Sequence, residues 1–420
     1  MISVEEALAE ILSHVRPLEP ESVPVLSAMG RILAEEIVSD ISIPPFDNSA
    51  MDGYAVQAGD LEGASLQDPV RLRVVGSVAA GYVAGVKVLP GTAVRIMTGA
   101  PLPEGATAVV PYEDTDDFDR PKEERLLEPA DEIEVRRAVR PGNDVRPAGE
   151  DIRLGELVMA PGRAIRPQEI GVLASLGRQT VLVHRRPRVA ILATGDELLE
   201  IHEPLAPGKI RNSNEYTNAA LVARTGGVPV RLGIARDVKS DLVAKIRAGL
   251  EQRVDLFLTS GGVSVGDYDV VKDVLGTEGE MQFWQVNMKP GKPLAFGLLA
   301  GGVPLIGLPG NPVSVMVSFE QFARPAILKM LGHTDLAKPT IQAVLDETLT
   351  NSGRRGFVRV VVSHKQDGFH ARSTGEQGSG VLTSMAKANG LAIVPEATYR
   401  VEAGTTVTVQ MLDWPEGTCL

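Results

Sequence analysis

Three short loops and one lysine pair carry residue types suited to phosphates and metal ions. Thr194-Gly195-Asp196-Glu197 sets two carboxylates on one loop, directly after the apolar run at residues 188–192. The string from Thr259 through Gly261, Gly262, Ser264 and Gly266 to Asp269 follows a second apolar run. A third loop, Gly307-Leu308-Pro309-Gly310-Asn311-Pro312, places Asn311 as a helix N-cap and Pro312 at the first helical position. Glycines let the backbone approach a phosphate, and helix N-termini offer it free N–H groups. Carboxylates hold Mg²⁺, which bridges substrate phosphates. Lys289 and Lys292 add two cations on a loop stiffened by Pro290 and Pro293, a candidate anion trap. Each loop alone reads as a tight strand-to-helix connection, whereas the three together point to a phosphate site.

Other motifs are weighed against their structural readings. Gly262-Val263-Ser264-Val265-Gly266 matches the nucleophile-elbow pattern, but only His333, His364 and His370 follow it, all beyond the α/β region, so a hydrolase triad is disfavoured. No two of the six histidines stand at metal-ligand spacing, which disfavours a zinc hydrolase. Residues 44–56 pack small, polar and aromatic residues around Asp52-Gly53, and residues 95–101 form a second such loop. Asp-Gly is equally a hairpin signal.

These loops need elements to position them, and 420 residues exceed what one ordinary core accommodates. Apolar residues at 44% and charged residues at 23% describe a folded protein without a disordered tract. The net charge of −12 disfavours nucleic acid and anionic membrane surfaces as partners, so an anionic ligand must be held by local cations. A single cysteine, Cys419, forbids an internal disulfide, and with no signal segment or 18-residue apolar run the expected location is cytoplasmic.

Apolar spacing predicts a first helix over residues 4–16. Val-rich runs at 70–75 and 107–110 predict a small β domain, and the charged stretch 116–140 predicts solvated loop and edge strand. Helices over 214–225, 239–252, 268–275 and 312–331 alternate with strands over 188–192, 228–234, 254–259, 294–298 and 303–307, the pattern of an α/β domain with a mainly parallel sheet. After Gly332, β-branched runs such as 356–362 and 405–409 predict a closing β domain.

An ordered series of strings resembles the molybdopterin molybdenumtransferase family, which includes bacterial MoeA and the E domain of gephyrin. The strings occupy residues 46–56, 95–103, 146–152, 194–198, 259–269, 289–296 and 308–314, with further likeness at 354–359 and 374–379. The resemblance implies a multidomain α/β plus β protein: an elongated discontinuous domain (1–44 and 145–179), an inserted β domain (45–144), a three-layer molybdopterin-binding α/β domain (180–332) and a β-barrel-like C-terminal domain (333–420). It implies insertion of molybdate into adenylylated molybdopterin with release of AMP, aided by Mg²⁺, in a homodimer whose cleft is shared between subunits. Implied catalytic residues are Asp52, Thr98, Glu197, Asp237 and Asp269, with Glu197, Asp237 and Asp269 as metal ligands. Implied substrate-binding residues are Gly261, Gly262, Ser264, Lys289, Lys292, Gly310, Asn311, Pro312, Ser314, Arg359 and Ser379. An upstream adenylyltransferase is a conceivable partner. The rival readings are a pyrophosphatase or adenylyltransferase on the same fold and a gephyrin-like scaffold; the latter lacks here the long linker and extra domain it needs.

Overall fold

The structure, a computed structural model, describes residues 1–121, 130–261 and 279–414. The chain divides into two compact units, one of residues 1–34, 161–166 and 180–420, the other of residues 35–160 and 167–179.

In the first unit, the apolar runs form the strands Arg188–Thr194, Leu256–Ser260 and Val303–Leu308, buried along nearly their whole length as expected when both sheet faces are covered. They are the middle of a six-stranded sheet ordered Val228–Ala235, Arg188–Thr194, Leu256–Ser260, Val303–Leu308, Pro293–Leu299, Gly279–Gln285. The first four strands run parallel and the last two pairings are antiparallel. Parallel strands bring their carboxyl ends to one edge of the sheet, where Thr194, Ser260 and Leu308 lead into the three loops. Helices Ser213–Arg224 and Lys239–Glu251 match their expected spans closely. The helix expected over 268–275 lies outside the described residues.

Two expectations need correction. The helix expected over 312–331 is Pro312–Ser318, a π turn over Phe319–Ala323, then Arg324–Met330. Pro325 has no N–H for the carbonyl of Gln321, and the turn widens where that bond is missing. The first helix ends at Ser13 and not at 16; it starts with a capping box in which Ser3 Oγ accepts the Glu6 N–H and the Glu6 carboxylate accepts the Ser3 N–H. Its buried Val4, Ala7 and Ile11 join the core of Val189, Leu258 and Ile306.

The closing region forms a five-stranded barrel. Thr340–Leu345, Arg355–Lys365, Gly368–Ser373, Gly390–Val394 and Thr406–Met411 each pair with two neighbours, so the ring has no open edge. Its core includes Leu345, Val360, Ala371, Val394 and Val409. Met288 and Lys289 pair in parallel with Arg355 and Gly356, stitching the lysine loop to this barrel.

The second unit holds a five-stranded sheet ordered Ala108–Pro111, Gly53–Val56, Thr92–Ile96, Val70–Val78, Glu132–Val135. Period-two alternation divides its apolar residues between two cores, Tyr54, Val56, Ala108 and Val110 on one face and Ala55, Val94, Ile96 and Val109 on the other. Asp52-Gly53 is not a hairpin turn joining sequence neighbours: Gly53 opens a strand between Thr92–Ile96 and Ala108–Pro111, while Asn48–Ser49 pairs with Val145–Arg146. A Cβ on Gly53 would lie 2.0 Å from the Val110 carbonyl oxygen, so close strand approach demands the glycine. Within the charged stretch, Glu132–Val135 is an edge strand, but Asp117 is buried and accepts the Tyr54 hydroxyl at 2.8 Å. No helix among the described residues is long and apolar enough to cross a membrane.

Candidate active site

The three loops meet at the carboxyl edge of the parallel strands. Gly261 has a φ of +92°, and a Cβ there would fall 2.8 Å from the Thr194 carbonyl oxygen. Its N–H donates to the Leu308 carbonyl at 3.2 Å, and its Cα lies 3.8 Å from where a Gly310 Cβ would stand. Asn214 Nδ2 donates to the Gly310 carbonyl at 2.7 Å, tying the helix Ser213–Arg224 to the third loop. Near this junction, Asn214 Oδ1, both polar side-chain atoms of Asn218, Thr259 Oγ1 and Ser260 Oγ are buried with no hydrogen-bond partner among the described residues. Polar atoms so placed are unusual in a protein interior.

A cleft of about 980 Å³ opens from the junction toward the barrel, at the upper end of ordinary ligand pockets. Glu197, Lys289, Lys292, Gly310, Asn311, Pro312 and Ser314 line it from the α/β side, and Arg359 and Ser379 line it from the barrel side. The Ser379 carbonyl accepts the Val313 N–H at 3.1 Å, joining the two walls at the start of the helix Pro312–Ser318. Asn311 occupies the N-cap position, but its side chain makes no capping bond, a correction to its expected role.

Electrostatically the cleft is mixed, with Glu197, Glu347 and Glu376 in its lining beside four cations. Lys289, Lys292, Arg354 and Arg359 all line it, and among the described residues none forms an ion pair. Arg359 is 1% exposed; its Nε donates to Ser384 Oγ at 3.1 Å and its Nη2 to the Gly378 carbonyl at 3.1 Å. Burial pushes this guanidinium below its ordinary value, opposed by the Glu376 charge, yet a guanidinium stays charged in a protein. A buried cation with only neutral partners is costly without an anion.

The acidic residues are less convergent. The carboxylate of Asp237 accepts the Asp196 N–H at 3.3 Å, and that of Asp196 accepts the Asp237 N–H at 3.3 Å. Glu197 folds its carboxylate over Gly195, where a Cβ would come within 2.4 Å of Glu197 Oε2. Among the described residues no three metal-type side chains converge. Gly262, Ser264 and Asp269 lie outside the described residues. Asp52 and Thr98 belong to the other unit, where Asp52 Oδ1 accepts both the backbone N–H and the hydroxyl of Thr98 at 2.7 Å.

Residues 2–177 match the family described as "MoeA N-terminal region (domain I and II)", residues 190–329 the "Probable molybdopterin binding domain", and residues 342–412 the "MoeA C-terminal region (domain IV)". The molybdopterin molybdenumtransferase 2 of Mycobacterium tuberculosis is 40% identical over 419 residues, covering 97% of this chain and 99% of that protein. The chain belongs to the molybdopterin molybdenumtransferase family. The Haemophilus influenzae molybdopterin molybdenumtransferase is 36% identical, with 98% of each chain covered. A crystal structure of the molybdopterin biosynthesis MoeA protein from Pyrococcus horikoshii OT3 superposes with a TM-score of 0.81 at 32% identity, covering 98% of this chain and all of that one. The resemblance read from the motif series was therefore to the right family.

Sequence reasoning passed over Arg354, Gln377 and the asparagines of the helix Ser213–Arg224 as site residues, and counted Asp196 among the loop carboxylates without assigning it a role. Arg354 lines the cleft and donates to the Met288 carbonyl at 3.1 Å, immediately before Lys289. The available signal was the Asn212-Ser213-Asn214 string: polar residues opening a helix beside a sheet's carboxyl edge.

Proposed function

We propose that this protein inserts molybdate into adenylylated molybdopterin and releases AMP, as the transferase step of molybdenum-cofactor synthesis. The observation that carries this reading is the cleft itself: unpaired Lys289, Lys292 and Arg359 face glycine loops at the carboxyl edge of a parallel sheet, in a chain of this family. Lys289, Lys292, Arg359 and Ser379 hold the molybdate oxyanion by charge and hydrogen bonds. Gly261, Gly262, Ser264, Gly310, Asn311, Pro312 and Ser314 cradle the adenylylated pterin, and Asp52 and Thr98 complete the site from a second subunit of a homodimer. The oxyanion is brought to the dithiolene sulfurs, which displace a molybdate oxygen as water, while an oxygen nucleophile, water or molybdate itself, attacks the phosphoanhydride and frees AMP from the pterin phosphate; no side chain acts as a covalent nucleophile.

Glu197 and Asp237, with Asp269, supply oxygen donors of the kind Mg²⁺ takes, and one or two carboxylates suffice where substrate phosphates complete the shell. When bound, Mg²⁺ neutralises charge developing on the phosphates. The domain boundaries at 44, 144, 179 and 332, the cytoplasmic location and delivery of substrate by an upstream adenylyltransferase belong to the same reading.

The test is incubation of the purified protein with adenylylated molybdopterin, Mg²⁺ and molybdate, following AMP release and reconstitution of an apo-molybdoenzyme. Both depend on molybdate if the reading is right. AMP without metal insertion would make the protein a pyrophosphatase, and neither product would overturn the assignment.

A further inference from the structure

Arg359 leaves its strand with an unusual partner. The strand Arg355–Lys365 pairs on one side with Gly390–Val394, in register at Arg359 and Leu391. On the other side its partner Gly368–Ser373 ends opposite Val360. Where that strand stops, the Thr374 N–H still donates to the Arg359 carbonyl at 3.0 Å, and then a side chain takes over. Gln377 Oε1 accepts the Arg359 N–H at 3.0 Å, and Gln377 Nε2 donates to the Arg359 carbonyl at 3.1 Å. One primary amide thus satisfies both main-chain groups as a neighbouring strand would.

The same loop and the short helix Leu382–Lys387 after it carry the other contacts of Arg359. Gly378 offers its carbonyl to Arg359 Nη2, and the Ser379 carbonyl is fastened to the Val313 N–H. Ser384 Oγ accepts from Arg359 Nε and donates to the Val381 carbonyl at 2.6 Å. Every one of these acceptors is neutral. A carboxylate in their place would orient the guanidinium equally well but cancel its charge, and the site would lose its pull on an anion.

We infer that Gln377 is a positioning residue that locks Arg359 and Ser379 into one geometry for the oxyanion without adding a second carboxylate to the Glu376 charge already acting on the arginine; the inference rests on the reading of this cleft as the oxyanion site. Removing such an outer support of a binding group ordinarily weakens binding about ten- to a hundredfold.

The experiment compares the full chain with Gln377→Met, which deletes both bonds to Arg359 and the longer ones from Nε2 to Thr374 Oγ1 and the Gly375 carbonyl at similar volume, and Gln377→Glu, which keeps the acceptor but adds a charge and loses the donor. Molybdate dependence of AMP release and direct titration with molybdate are measured beside thermal melting. The half-saturating molybdate concentration should rise about tenfold in Gln377→Met and further in Gln377→Glu, with saturating molybdate restoring turnover and the KM for adenylylated molybdopterin changing less than about twofold. A purely structural role predicts equal losses for both substrates in either variant; that result overturns the inference. So does unchanged molybdate dependence in both variants. If Gln377→Met fails to fold, Gln377→Glu carries the same comparison. Lys289→Ala is the control: if it too leaves molybdate binding unchanged, the oxyanion reading of the cleft fails and not merely the role of Gln377.

Discussion

Lysine and arginine have different tasks in the cleft. Lys289 is exposed at the end of a flexible stem, whereas Arg359 is buried and held through its backbone and its guanidinium. On the proposed reading, lysine attracts the oxyanion and arginine fixes its orientation. Truncating Lys289 or Lys292 to alanine removes a charge-assisted contact of about 1.5–3 kcal/mol, so the half-saturating molybdate concentration should rise roughly ten- to a hundredfold, with the effect shrinking as salt is added. Steady-state AMP release at two ionic strengths checks this, and salt-independent losses would argue against direct contact. Gly261 makes a different demand: its φ of +92° and the 2.8 Å approach to the Thr194 carbonyl leave no room for a methyl group. Gly261→Ala should destabilise the fold by about 2–3 kcal/mol in urea denaturation, with the loops displaced.

The strands and helices of the α/β domain were legible because buried parallel strands appear as continuous apolar runs and their helices as 3.6-residue periods. Gly279–Gln285 was also legible, through the alternation of Met281 and Phe283 with Gln282, but it was overlooked; Trp284, stacked on Phe296 at 5.8 Å, breaks that alternation. The π turn left no periodic signature, since all five of its residues, Phe319 to Ala323, are buried whichever way they face. Nor could spacing single out Arg359, which in sequence is one arginine within a β-branched strand; the family resemblance pointed to it, and only the packing shows its neutral partners. Gln377 was hidden for the same reason, because its bonds join segments that only the barrel brings together. The π turn carries a buried pair of its own: Glu320 accepts Lys338 Nζ at 2.6 Å, with both side chains under a tenth exposed. Burial pushes the Lys338 ammonium below its ordinary value and Glu320 opposes this. Glu320→Ala strands that ammonium and should cost about 3–5 kcal/mol, measured as a fall in the denaturation midpoint. Adding Lys338→Met should recover most of the loss, and a double variant no more stable than the single one would show that the charge is not the cause.

At the scale of the whole molecule, net charge and site charge have opposite signs. A chain of −12 repels oxyanions at long range, so the proposed capture would depend on the short-range field of the cations in the cleft. The proposed homodimer makes a further demand, because Asp52 and Thr98 would serve the cations of the other subunit. Complementation between two impaired variants tests this directly. At molybdate well below the half-saturating concentration of the Lys289→Ala form, homodimers of Asp52→Ala and of Lys289→Ala should each have little activity, since every shared site then contains a lesion. In a mixed dimer one site receives both lesions and the other receives neither. Random reassortment of equal amounts makes half the dimers mixed, with one intact site in each, so about a quarter of wild-type activity should return after co-refolding or co-expression. Were Asp52 and Lys289 to act within one subunit, every site would keep its own lesion and mixing would restore nothing. The recovered activity should also follow the fraction of mixed dimers as the mixing ratio changes, a dependence that contamination by wild-type protein cannot imitate.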